Sequence, residues 1–106
     1  MSVSENDPSF ADEKCSEAED RYRNGRFDES LNAVDAAFRA GFESAALWNV
    51  AAASFMALGR EADAERCLRR AIELYPASCQ AHSNLGVLLS GQSRYAEAEA
   101  EFSGSA

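Results

Sequence analysis

Few residues in this chain have the types and spacing that chemistry requires. Cys79 and His82 stand three apart near the start of an expected helix, so thiol and imidazole can touch. A nucleophilic cysteine beside its base has this arrangement. No acid is placed to orient the imidazole and no oxyanion site accompanies it, so the pair reads as structural. Glu97, Glu99 and Glu101 alternate with Ala96, Ala98 and Ala100. Alternation suits a strand, but Ala and Glu favour helix. These carboxylates read as a solvated face rather than an acid–base pair. The glycines are scattered singly as turn and packing residues, which leaves no loop to cradle a phosphate.

Metal and redox chemistry fare no better. His82 is the single histidine, and Cys15, Cys67 and Cys79 are widely spaced with no C-x-x-C. A zinc site would need scattered ligands. An odd number of distant cysteines argues against a disulfide framework and fits a reducing cytosol. No catalytic residue, cofactor or metal is expected, and the location expected is cytoplasmic.

Charge narrows the partners. The 106 residues carry 18 acids against 10 bases, a net charge of −8. Phosphate contacts need a basic face, so nucleic acid is not the expected partner. An anionic membrane surface is disfavoured for the same reason. No apolar run approaches the ~18 residues of a membrane span. Met1 to Ser9 is polar and acidic, without the layout of a signal peptide.

The elements must be helices. Val and Ile together number five and Thr is absent, whereas Ala occurs 21 times. Strands would have little to be made from, and Ala is the best helix former. Residues 1–7 read as a disordered tail. Asp7-Pro8 caps a first helix with Ala11, Cys15, Ala18 and Tyr22 on one stripe, ended by Asn24-Gly25. On its exposed face Glu17/Arg21 and Glu19/Arg23 are four apart with the acid first. Phe27, Leu31, Val34 and Phe38 carry a second helix that ends at Ala40-Gly41. Ser44 caps a third, with Trp48, Ala52 and Phe55 inward, stopped by Leu58-Gly59. Ala64, Leu68, Ala71 and Tyr75 mark a fourth, ending at Pro76. A fifth carries Ala81, Leu85, Leu88 and Leu89, and a sixth begins near Tyr95 with Ala98 and Phe102 inward.

These features repeat. Gly25 and Gly59 are 34 residues apart, as are Phe42 and Pro76, and Ala37 and Ala71. Ala18, Ala52 and Gly86 continue the interval. A fixed period of this length marks a helical repeat. At the central unit, Trp48, Ala52, Phe55, Gly59, Ala64, Leu68, Ala71 and Pro76 together resemble the tetratricopeptide repeat (TPR) family. The resemblance implies an all-α fold, an α-α superhelix in a right-handed solenoid. Three helix-turn-helix units would fill residues 8–106, at about 11–44, 45–78 and 79–106, the third truncated. The first unit departs from the pattern, with Lys14 and Arg21 at aromatic positions, Ser30 for a small Ala and Phe42 for the proline. Charges there suit a terminal cap.

The resemblance also implies a function. TPR arrays bind proteins along an inner groove lined by the first helix of each pair. The groove candidates are Asn49, Ala53, Met56 and Ala57 in the middle unit and Gln80, Ser83, Asn84 and Val87 in the third. Asp12, Cys15, Glu19 and Arg23 come from the first. Small apolar groups, amides and an acidic end suit an extended or helical peptide with a basic residue at that end. One TPR subclass grips acidic chaperone C-termini with Lys, Arg and Asn. Here Cys15, Glu19, Gln80 and Asn84 stand at those places, so that function is not expected. Another, in O-linked N-acetylglucosaminyltransferases, carries an asparagine ladder; Asn84 fits it and Asn49 is one residue off. The reading is a scaffold or adaptor for a protein or peptide, without catalysis of its own. A TPR segment of a larger enzyme such as a glycosyltransferase, or a small secretion chaperone, are the alternatives. The third unit presents an open edge at Leu85, Leu88, Leu89, Tyr95 and Phe102, which leads to an expectation of a longer chain or a homodimer.

Overall fold

Helix punctuation sets the architecture. The computed structural model describes residue 7 and residues 9–91. They form α1 (Ser9–Arg23), α2 (Phe27–Arg39), α3 (Ala45–Ala57), α4 (Glu61–Leu74) and α5 (Cys79–Gly91). No strand occurs among the described residues. The sixth helix expected near Tyr95 lies outside them, as do residues 1–6.

Short polar side chains start these helices by satisfying amides that have no partner within the helix. The Asp7 carboxylate accepts the Ser9 amide at 2.9 Å and the Ser9 hydroxyl at 2.7 Å. Those two hydrogen bonds, the backbone one first, hold its pKa below the ordinary value. Ser44 Oγ accepts the Leu47 amide at 3.2 Å, as its sequence position suggested. Ser78 Oγ accepts the Ala81 amide at 3.2 Å, 34 residues further on.

Glycines close the helices. Gly25 and Gly59 both sit at φ 77°, a region costly for any residue with a Cβ. The next amide reaches back five residues in each case, Arg26 to the Arg21 carbonyl and Arg60 to the Phe55 carbonyl, both at 2.8 Å. This closure satisfies a carbonyl the helix leaves open. His82 ties the turn before α5, its Nε2 donating to the Pro76 carbonyl at 2.8 Å.

Sequential helices pack pairwise, as their short connections require. In addition α1 touches α3 and α3 touches α5, whereas α2 and α4 do not meet. The odd-numbered helices therefore form one continuous wall, and the even-numbered ones splay apart behind it. Close helix approach needs small side chains. Ala18, Ala52 and Ala64 are fully buried, and Gly86 is buried. Leu47, Leu68, Leu85, Leu89 and Val34 fill the space between, in one cluster running from α1 to α5.

The structure departs from the sequence expectations in three places. Leu85, Leu88 and Leu89 do not form an open edge. They belong to the core cluster and are 5% exposed or less. Tyr95 and Phe102 lie outside the described residues. On α1 the buried aromatic is Phe10, which meets Phe42 at 6.2 Å between ring centroids. Phe42 thus packs where the next unit has Pro76. Tyr22 turns outward against Phe27 at 5.6 Å. The α1 charges also pair differently. Glu17 bonds Lys14 at 3.0 Å, and Arg21 bonds Asp20 at 3.3 Å.

Candidate protein-binding face

The wall formed by α1, α3 and α5 carries a concavity of about 250 Å³. Glu19, Tyr22 and Arg23 line it from α1, Asn49, Val50 and Ala53 from α3, and Gln80 from α5. Helical spacing explains the set. Positions 19, 22 and 23 share one face of α1, and 49, 50 and 53 share one face of α3. Ala53 supplies depth because it has no bulk, and Gln80 closes one side from an exposed position.

The sequence-derived groove residues divide here. Asn49, Ala53 and Gln80 come together in the concavity, joined by Glu19 and Arg23. Met56 lies on α3 and packs partly against the core. Ser83 and Val87 are exposed on α5, and Asn84 is half-buried there. None of these four lines the concavity. Tyr22 and Val50 do, and the sequence reading missed both. The inward stripe had claimed Tyr22, although its place one turn after Glu19 on the groove face was legible.

One amide and two charges characterise this surface. Asn49 is 4% exposed, and its Oδ1 has no hydrogen-bond partner. Among the described residues, Arg23 makes no ion pair, and Glu19, one turn earlier, makes none either. Glu19 Oε1 accepts a hydrogen bond from the Cys15 thiol at 3.8 Å. Burial first, and then the Glu19 charge, push the Cys15 thiol up to about 11.

A larger concavity, about 560 Å³, opens on the opposite side between α2 and α4, over Trp48 and Phe55. Two of its three charged side chains, Asp35 and Arg60, are engaged by residues outside its lining. Arg60 lies over the Phe55 ring at 4.8 Å and bonds Asp63 at 2.8 Å. Arg39 bonds Asp35 at 2.8 Å. The Trp48 ring stacks on Phe38 at 4.4 Å, and its buried Nε1 has no partner. Among the described residues, no group of three or more His, Cys, Asp or Glu could hold a metal ion. No described helix is long and apolar enough to cross a membrane. None of the three cysteines forms a disulfide.

Comparison with known proteins agrees with this architecture. No curated protein matches the sequence. Among solved structures, the second TPR of Spaghetti (RPAP3), bound to the HSP90 peptide SRMEEVD, superimposes with a TM-score of 0.85. The match covers 92% of this chain and 84% of that one at 16% identity, a likeness of fold. The tetratricopeptide repeat family model matches residues 15–65 and again residues 49–106. The chain is a helical repeat solenoid and belongs to the tetratricopeptide repeat family.

Proposed function

We propose that this protein is a non-catalytic interaction module that holds a segment of a partner protein against the α1–α3–α5 face. The carrying observation is the concavity itself, which joins three helices and is lined by Asn49 together with the Glu19 and Arg23 charges. The peptide held by the second TPR of Spaghetti supports the class of ligand. It does not supply the sequence of the ligand. That peptide ends in acidic residues, whereas this chain carries a net charge of −8 and places Glu19 in the concavity. The outer cleft is the weaker choice because most of its ionic groups already have partners within the chain.

The test compares affinity purification by the natural protein with that by Ala53→Arg and Asn32→Arg. Ala53→Arg fills the concavity from its floor. Asn32→Arg places the same charge on exposed α2. Partners recovered with the natural chain and with Asn32→Arg, but lost with Ala53→Arg, are the expected result. Partners that survive Ala53→Arg and vanish with Asn32→Arg would move the function to the outer cleft.

A further inference from the structure

We propose that the outer cleft between α2 and α4 binds a small organic amine, with its single ammonium at Asp28 and its apolar body on the aromatic floor of Trp48 and Phe55. This site is separate from the concave face and does not rest on the reading given for it.

The cleft exists because α2 and α4 splay apart behind α3 and do not meet. Its volume is about 560 Å³, against about 250 Å³ on the concave face. Small-ligand sites span ~300–1,000 Å³. Positions 28, 31, 32, 35 and 38 recur at helical spacing, so one face of α2 forms a wall. α2 and α3 are sequential, antiparallel neighbours, and Phe38 meets Trp48 at 4.4 Å. Seven residues back along α2 and seven onward along α3 lead to Leu31 and Phe55, with Asp28 one turn beyond Leu31. The cleft therefore has an aromatic end at Phe38 and Trp48, and an end that joins an aromatic ring to a carboxylate at Phe55 and Asp28.

Charge selects the occupant. Asp35 is bonded by Arg39 and Arg60 bonds Asp63, and both of those partners lie outside the lining. Asp28 is exposed and makes no ion pair among the described residues. The cleft is left with one uncompensated carboxylate, which one cation balances. Asn32, exposed one turn along the same wall, adds an amide that can accept from an ammonium. The floor suits a cation too, since the Arg60 guanidinium already lies over the Phe55 ring at 4.8 Å. A protein interface draws on many hydrogen bonds across a wide surface. A small ligand needs apolar area and a few placed polar groups, and that is what this cleft has.

The test is an NMR titration read at Trp48, the single tryptophan, whose indole N–H gives one signal within the cleft. The probes are phenethylamine, neutral phenethyl alcohol and anionic phenylacetate. The proteins are the natural chain, Asp28→Asn and Ala53→Arg. Asp28 is exposed and Asn keeps its shape, so the fold persists. The expected result is a saturable shift with the amine, about fivefold tighter than with the alcohol and absent with phenylacetate. Asp28→Asn should cut that preference to about twofold or less. Ala53→Arg should leave it unchanged, because Ala53 lines the opposite face. No saturable shift, equal binding of amine and alcohol, or a preference that Asp28→Asn retains would each overturn the proposal. So would a preference lost in Ala53→Arg, which would assign the amine to the concave face.

Discussion

Ser54 on α3 donates its hydroxyl to Ser30 on α2 at 3.1 Å, and both side chains are fully buried. Ser30 in turn donates to the Ala18 carbonyl on α1 at 2.7 Å. Three helices are thus tied by two hydrogen bonds where the next unit has the apolar Ala64. Ser30→Ala strands the Ser54 hydroxyl and should cost about 1–3 kcal/mol. Adding Ser54→Ala removes the stranded group, so the double variant should lose less than the sum of the two single variants. Urea melts of the three variants measure this directly.

Neighbouring alanines on α3 should respond in opposite ways. Ala52 is fully buried, and Ala53 lines the open concavity. Ala52→Leu overpacks the helix joint and should cost about 1–3 kcal/mol. Ala53→Leu should stay within about 0.5 kcal/mol of the natural protein. Equal losses in thermal melts would place the wall on the wrong face of α3.

Gly25 and Gly59 test the repeat as a physical unit. Each has φ 77°, and a Cβ added at either would meet nothing within 4 Å. The cost of Ala is therefore backbone strain alone, about 1–2 kcal/mol, and it should be the same at both sites. Asn tolerates this region better and should cost less. Chemical melts of Gly25→Ala and Gly59→Ala that differ by more than the strain itself would show the two turns to be unlike.

Much of the fold was legible because the family pattern is local. Ser44 caps α3 as its place before an apolar run suggests, and the periodic glycines close their helices. What was not legible depends on contacts across helices. Phe10 is buried only because Phe42 stands opposite it. Ser30 looks like a defect until Ser54, 24 residues away, is brought to it. The burial of Leu85, Leu88 and Leu89 follows from their place in a core shared with α3 and α4, which a linear reading of the third unit does not contain. At the concave face, Asn49, Ala53 and Gln80 could be named from the repeat register. That Glu19 and Arg23 would form no ion pair with each other could not, since their spacing is the one that normally pairs.

The thiols give a pH dependence with a definite sign. Burial pushes Cys67 up to about 11 from 9.0, and burial with the Glu19 charge does the same for Cys15. Below pH 9 both states keep these protons and stability is unaffected. Above pH 9 the unfolded chain releases them first, so stability should fall between pH 9 and about 11. Cys67→Ala should flatten that fall. In labelling at neutral pH the exposed Cys79 should react first, with Cys15 and Cys67 much slower.

The most direct test of the central claim is photo-cross-linking in the source cell, with a photoreactive amino acid at Ala53 in one variant and at Asn32 in another. The first site lies on the floor of the concave face and the second on the outer surface of α2. A discrete protein adduct from position 53, absent from position 32, is the expected result. An adduct from position 32 alone would contradict the account and assign recognition to the cleft over Trp48.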